Sequence, residues 1–463
     1  MTGMTAIVWT TSSLMRSDYS ILQIPVAARR LAALMVLVCL LGSEAAIAES
    51  IFFTGAIIHT VSGETFSPGQ LLVKDGQIIG VGTNLKAGNA KHVDLKGLHL
   101  FPGLIATTSS LGLTEISAVR ATQDTTEVGA YTPDVKSWLA VNPDSELLPV
   151  ARANGITHFL AVPMGGIVTG QSGLIAMRGW TSEEMTVKRP VALHLFWPGM
   201  SLDTTPKEQA PDKSKWKSLE DQAEERQKKL KEIDDFFAEA RAYASARQAA
   251  TVRNTEFSKI PAWEAMLPFL RGEIPLMIHA DELRQIKAAV HWADAHQYKM
   301  ILAGGRDAGQ AVDLLAAKHI PVVYESTFDQ PARDSDAYDI HFQTPALLHR
   351  AGVRVIFSPG LGGMTAPHAR NLPYAAAQAV AFGLPEAEAL KGLSLYPAQV
   401  LGVADRLGSL EAGKEATFFA ADGNILDIRS NLKRMWIAGE EISLESRHTR
   451  LYEKYKHRPK SKK

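Results

Sequence analysis

The chain has 463 residues, 46% hydrophobic and 21% charged, an ordinary globular composition with apolar material for one large domain and an appended smaller one. Its 49 basic and 49 acidic residues cancel to a formal net charge of +0, which excludes an overall field drawing it to nucleic acid or an anionic membrane. Partners must therefore be sought at a local site. In chain order, Arg29-Arg30 precede the apolar run LAALMVLVCLL, and Ala46-Ile47-Ala48 follows as a small-x-small cleavage pattern. The run is too short to span a bilayer comfortably and lacks the polar alternation of a surface helix. It reads as a signal peptide over residues 1–48, with Met15 an alternative start, no stable membrane anchor after cleavage, and a bacterial periplasm as destination. The single cysteine, Cys39, lies inside it, so the exported chain would hold no disulfide, thiolate metal site or cysteine nucleophile.

From residue 51 to 100, short apolar runs alternate with turn residues. IFFTGAIIHTVSG, QLLVKDGQIIGVG and HVDLKGLHLFPG read as consecutive antiparallel strands, with Asp75-Gly76 at a hairpin turn. From about 105 to 400 the texture changes to apolar strands alternating with helical stretches, the pattern of βα units around a parallel sheet or barrel. THFLAVPMGG, RPVALHLFW, IPLMIHADE, KMILAGG, IPVVYES and VRVIFSPG mark strand ends. Residues 163–173, rich in glycine, read as a flexible loop at the second strand's mouth. The lysine a phosphate loop would need is Gln171 here, so nucleotide binding is not expected. Residues 213–248, dense in Lys, Glu, Gln and Ala, read as one long solvated helix or a helix pair within a charged insertion at about 205–255. Past residue 401 strand-like runs return in GKEATFFAADG and KRMWIAGEEISL, placed to rejoin the N-terminal strands, and a basic tail reads as a frayed terminus.

Two runs carry a family resemblance. GLHLFPGLI (97–105) resembles the passage from β-sandwich to first barrel strand in the amidohydrolase superfamily, most closely its imidazolonepropionase-like exported members. RNLPYAAAQAVAFGLPEAEALKGLSLYPAQVLGVADRLGSLEAGKEATFFAADGNILD (370–427) resembles that family's last barrel helices and the return to the sandwich. The resemblance spans the whole chain after the signal and is weakest over the charged insertion. It implies a (β/α)8 TIM-like barrel at 105–400 and a small β-sandwich built from residues 49–104 and 401–463.

The resemblance also implies a metal-dependent hydrolase of carbon-nitrogen bonds, in non-peptide amides or dipeptides, with ligands at the C-terminal ends of barrel strands. Such sites hold zinc with histidines and an aspartate, and the metal lowers the pKa of a bound water. The family's PGLIDxHxH is here PGLIATTSS, so Thr108 and Ser110 stand at the two histidine positions. The strand-5 histidine is kept as His279, while Gly304 and Gly360 stand at the strand-6 histidine and strand-8 aspartate positions. With those ligands lost, no cofactor is expected, a single zinc ion at His279 being the alternative. His279 is the candidate catalytic group, set against a vestigial histidine hydrogen-bonded in an old pocket. Asp281 is a candidate for acid–base work or substrate contact, set against a helix N-cap. Arg120 and Glu127, in the long connection after the first strand, are candidates to bind a zwitterionic or carboxylate ligand, set against surface salt links. His291 and His296 lie on different helix faces and form no chelating pair. Neither Ser109, Ser110 nor Ser172 shows a nucleophile motif. Two functions stay open: an amidohydrolase with an altered site acting on a small amide or dipeptide, and a non-catalytic homologue that binds a small ligand, forms a homo-oligomer or pairs with an active amidohydrolase paralogue.

Overall fold

The computed structural model describes residues 50–458. The expected signal at 1–48, Cys39 and the last five residues of the basic tail lie outside the described residues.

One eight-stranded sheet joins the two ends of the chain. Its strands are β1 (Ser50–His59), β2 (Thr65–Lys74), β3 (Gln77–Gly82), β4 (Lys91–Asp94) and β5 (His99–Pro102), and from the far end β14 (Phe418–Ala421), β15 (Leu432–Ile437) and β16 (Glu440–Ile442). Asp75 and Gly76 both take positive φ, 51° and 75°, which is the backbone a two-residue hairpin between twisted strands requires. The two ends meet where β14 lies antiparallel to β5, Phe419 opposite Phe101, and an apolar core of Phe53, Phe418 and Trp436 packs edge to face beneath them.

The second eight-stranded sheet is the barrel. It runs in chain order through β6 (Leu104–Ser109), β7 (Ile156–Ala161), β8 (Val168–Ala176), β9 (Thr186–Phe196), β10 (Leu276–Ala280), β11 (Met300–Gly304), β12 (Val322–Tyr324) and β13 (Val355–Phe357). β6, β7, β10 and β11 are buried along their whole length, as strands covered on both faces must be. The barrel interior is filled by Ile105, Leu160, Met277, Ile301, Val323 and Ile356, so it is a packed core rather than a pore. No ladder joins β13 to β6; a side chain closes that seam instead. Ser358 Oγ accepts from the Thr108 amide at 2.8 Å and donates to the Thr108 carbonyl at 2.9 Å.

Three local expectations change. The run HVDLKGLHLFPG does not continue an antiparallel order: it forms β4 and β5, both parallel to β1. The stretch 163–173 is a loop only as far as residue 167: β8 follows, fully buried and antiparallel to both β7 and β9, so one barrel strand runs against the others. Its glycines and small polar residues hid it, and they are there because the connection after β6 presses on it. A Cβ on Gly170, at φ +119°, would meet Val135 at 2.7 Å, and Gln171 Nε2 donates to the Pro133 carbonyl. The charged insertion is one helix, Leu219–Arg253, opened by a Ser218/Asp221 capping box and stopped by left-handed Asn254. It is docked, not merely solvated: Ile233, Phe237, Ala240 and Tyr243 form a buried stripe, and Phe237 packs on Trp292 and Tyr298. A helix over Arg447–Lys456 takes in the first three residues of the basic tail. Among the described residues no helix is long and apolar enough to cross a membrane.

Candidate active site

The C-terminal ends of β6, β10, β11, β12 and β13 bring one group of polar side chains together. Thr108 donates to Glu325 Oε1 at 2.5 Å and lies 2.8 Å from Ser358 Oγ. Glu325 directly follows β12, and no cation is within ion-pairing distance of it among the described residues. Burial, reinforced by the charges of Asp281 and Asp329 and opposed by the Thr108 hydrogen bond, pushes its carboxyl up to about 8. Asp281, just past β10, is also raised by burial, opposed by the backbone amide and charge of the nearby Arg306. Burial thus raises both carboxyl groups, and the Asp281 charge adds to the effect on Glu325.

His279 is buried, 8% exposed, and its Nε2 lies 3.0 Å from His194 Nδ1, while His194 Nε2 lies 2.8 Å from Ser172 Oγ. Phe196 stacks on the His279 ring at 4.1 Å. Burial lowers His279 to about 3 and, with His279 beside it, holds His194 well below the ordinary histidine value, so both rings are neutral at physiological pH. Ser110 turns away and donates to the Gly362 carbonyl. Gly304 and Gly360 take φ of +86° and +81°; a Cβ at Gly304 would meet Asp281 Oδ1 at 2.5 Å, and one at Gly360 would meet Glu325 Oε2 at 3.2 Å. The two carboxyl groups therefore lean over the two glycines.

Beside them an ion pair fixes the connection after β12. Arg333 grips both oxygens of Asp307, whose Oδ2 also accepts from the Leu283 amide at the start of helix Leu283–Ala295. Burial works against the Asp307 charge, but those contacts win and hold its carboxyl below the ordinary value. Arg306 Nε and Thr327 Oγ1, on the connections leaving β11 and β12, are buried without hydrogen-bond partners.

Asp281 is not the N-cap: that place belongs to Glu282, with Gln285 reaching back to its amide, while the Asp281 carboxylate faces Arg306. Arg120 and Glu127 are not gathered into this group. Arg120 donates to the Gln123 carbonyl in its own loop, and Glu127 lines a separate cavity of about 380 Å³ with Asp124, Lys136 and Pro163. Sequence reasoning passed over Glu325, Ser358 and His194, and weighed Ser172 only as a nucleophile. The available signal was a polar residue at or just beyond the end of a buried apolar strand, as in VVYES and VIFS. Among the described residues, no three His, Cys, Asp or Glu side chains stand close enough to hold a metal ion.

The comparisons agree with this architecture. The solved structure of an amidohydrolase from Thermotoga maritima MSB8 superposes with a TM-score of 0.74 at 28% identity, covering 85% of this chain and 99% of that one. A prolidase solved with N-methylphosphonate-L-proline shares the fold, at a TM-score of 0.51 and 14% identity over 85% of this chain and 99% of that one. The curated relative "Amidohydrolase tasK" of Hapsidospora irregularis is 21% identical over 408 residues, covering 80% of this chain; the chain spans 39% of that relative's length. The sequence profile of the Amidohydrolase family matches residues 167–443, more than half of the chain, which with its barrel and two-ended sheet therefore belongs to the amidohydrolase family.

Proposed function

We propose that the chain hydrolyses a carbon-nitrogen bond of a small amide or dipeptide at the barrel mouth by carboxyl acid–base chemistry, with Glu325 as the acid and Asp281 as the base. The observation that carries this reading is the pair itself: Glu325, pushed up to about 8 by burial with Thr108 as its partner, keeps its proton at neutral pH, and Asp281, raised by burial but drawn the other way by Arg306, stands beside it. Asp281 takes a proton from water as the water oxygen bonds to the amide carbon. The carbon-nitrogen bond then breaks as Glu325 gives its proton to the leaving nitrogen. Arg306 Nε, 3.8 Å from Asp307 Oδ1 but without a hydrogen bond, and the Thr327 hydroxyl are donors available to the substrate's oxygens.

The residues do not fit the zinc centre usual in the family. Thr108 and Ser110 offer neutral hydroxyls, poor ligands beside imidazole, and both hydroxyls are engaged with protein. His279 Nε2 is tied to His194, and glycines occupy positions 304 and 360. The non-catalytic reading rests on a different observation: Thr108, Glu325 and Ser358 satisfy one another, as do Ser172, His194 and His279, which is what a barrel kept for its shape needs.

The test is a panel of cyclic amides and dipeptides, with metal analysis of protein purified without chelators. Hydrolysis that survives chelation and is lost in Glu325→Gln and Asp281→Asn supports the proposal. Hydrolysis that needs stoichiometric zinc and is lost in His279→Ala would overturn it in favour of a metal enzyme. A folded protein that hydrolyses nothing on the panel would overturn it in favour of the non-catalytic homologue.

A further inference from the structure

The opposite end of the barrel carries a second concavity, of about 480 Å³, that the chemistry above does not use. It is lined where the chain enters the strands: Lys188 and Pro190 of β9, Pro275 before β10, Lys299 before β11, Pro321 before β12 and Arg354 before β13, with the end of helix Leu395–Val400 as one wall. Buried Val191, Ile301 and Leu401 form its inner surface and belong to the packed barrel interior, which separates it from the mouth.

Its charges are one-sided. Of the lining residues Lys188, Lys299, Lys318 and Arg354 are cationic, and Glu273 is the acid. Glu273 is already neutralised by Arg271, and Lys318 by Asp294 at 2.6 Å. Among the described residues no carboxylate lies within ion-pairing distance of Lys188, Lys299 or Arg354, though Asp405 is near enough to act on Lys188. The Lys299 ammonium makes no hydrogen bond, and Arg354 reaches the neutral Gln399 amide at 3.4 Å. Lys188 is set in place: its ammonium donates to the Leu401 and Gly402 carbonyls at 2.9 and 2.7 Å, which leaves its third N–H unused. Gly402 takes φ +66°, and a Cβ there would stand 2.7 Å from that ammonium, so the turn is shaped to admit the lysine head. Burial lowers the Lys188 pKa, with Asp405 opposing, a cost that an anion would offset.

We propose that this cavity binds a small oxyanion carrying two or more negative charges, held by Lys188, Lys299 and Arg354. A single negative charge would leave the three cations under-compensated, whereas a phosphate or polycarboxylate group meets several donors at once. The site lies on the barrel face away from the candidate active site, so its ligand is an effector rather than the substrate.

The experiment is calorimetric titration of the full chain with pyrophosphate and, separately, with citrate at low ionic strength, which distinguishes phosphate from polycarboxylate chemistry. At least one is expected to bind saturably and to raise the unfolding temperature. The double variant Lys299→Ala/Arg354→Ala, whose changes fall on exposed side chains, is expected to weaken binding by about tenfold or more while unfolding at the same temperature without anion. Raising salt to about 0.5 M should weaken wild-type binding by a similar factor. Absence of saturable binding by either anion would overturn the proposal. So would binding that the double variant leaves intact, or binding that is lost instead in Arg306→Ala at the mouth.

Discussion

Replacing Glu325 with glutamine tests the environment on which the functional reading rests. The wild-type carboxyl is displaced from 4.5 to about 8 by burial, so between those values the folded protein holds a proton that the unfolded chain has released. A folded-state pKa raised in this way contributes stability that is fully present below the unfolded value and is lost as pH rises through the folded one. At about 1.4 kcal/mol for each tenfold change in proton affinity, the loss between pH 5 and pH 9 amounts to roughly 4 kcal/mol, most of it before pH 8. Glutamine keeps the shape and the oxygen that Thr108 reaches but cannot ionise. Glu325→Gln should therefore lie within about 1 kcal/mol of wild type at pH 5 and be the more stable protein, by roughly 3–5 kcal/mol, at pH 9. Urea unfolding of both proteins across that range reads the difference directly, because every other titrating group is shared. Parallel pH profiles would refute the argument, since they would mean that Glu325 ionises in the fold as it does in water.

Gly304→Ala forces an L residue to φ +86° and a methyl to 2.5 Å from Asp281 Oδ1, so it should cost about 1–3 kcal/mol, whereas Gly360→Ala, with its nearest contact at 3.2 Å, should cost less. The order of their thermal unfolding temperatures checks this, and equal values would count against it. Arg333→Ala strips the paired guanidinium from Asp307, a carboxylate only 3% exposed, and should destabilise by about 1–3 kcal/mol at pH 7. The folded-state pKa of Asp307 is depressed, so its contribution is present above the unfolded value and lost as pH falls through the folded one; the variant's deficit should shrink toward pH 2 in acid unfolding curves. Phe237→Ala removes a fully buried ring between Trp292 and Tyr298 and should cost about 3 kcal/mol by denaturant unfolding, a loss that a merely solvated insertion helix would not show.

Much of the architecture was legible along the chain because it rests on local chemistry. Asp75-Gly76 announces a hairpin, since few other pairs accept two successive positive φ values. Apolar runs such as PLMIHA and KMILAG mark buried parallel strands, since both faces must be covered. The Thr-Ser-Ser run after Pro102-Gly103-Leu104-Ile105 was visible in the same way, because a backbone and packing motif can persist while the polar residues beyond it differ. β8 was not legible: its glycines and small polar groups resemble a loop, and only the backbone of residues 126–140 lying against it explains them.

What the sequence by itself determined is thus the family, the two-ended sheet and the strand ends at which site residues stand. Tertiary structure alone decided which of those residues meet. Thr108 meets Glu325 and Ser358 across more than two hundred residues of chain, and Ser172, His194 and His279 come from three different strands. The physical reason is that a strand end fixes a residue's height in the barrel but not its neighbours across the mouth. The state of a carboxyl such as Glu325 depends on those neighbours: on a cation that no adjoining strand supplies, and on burial that every adjoining strand contributes.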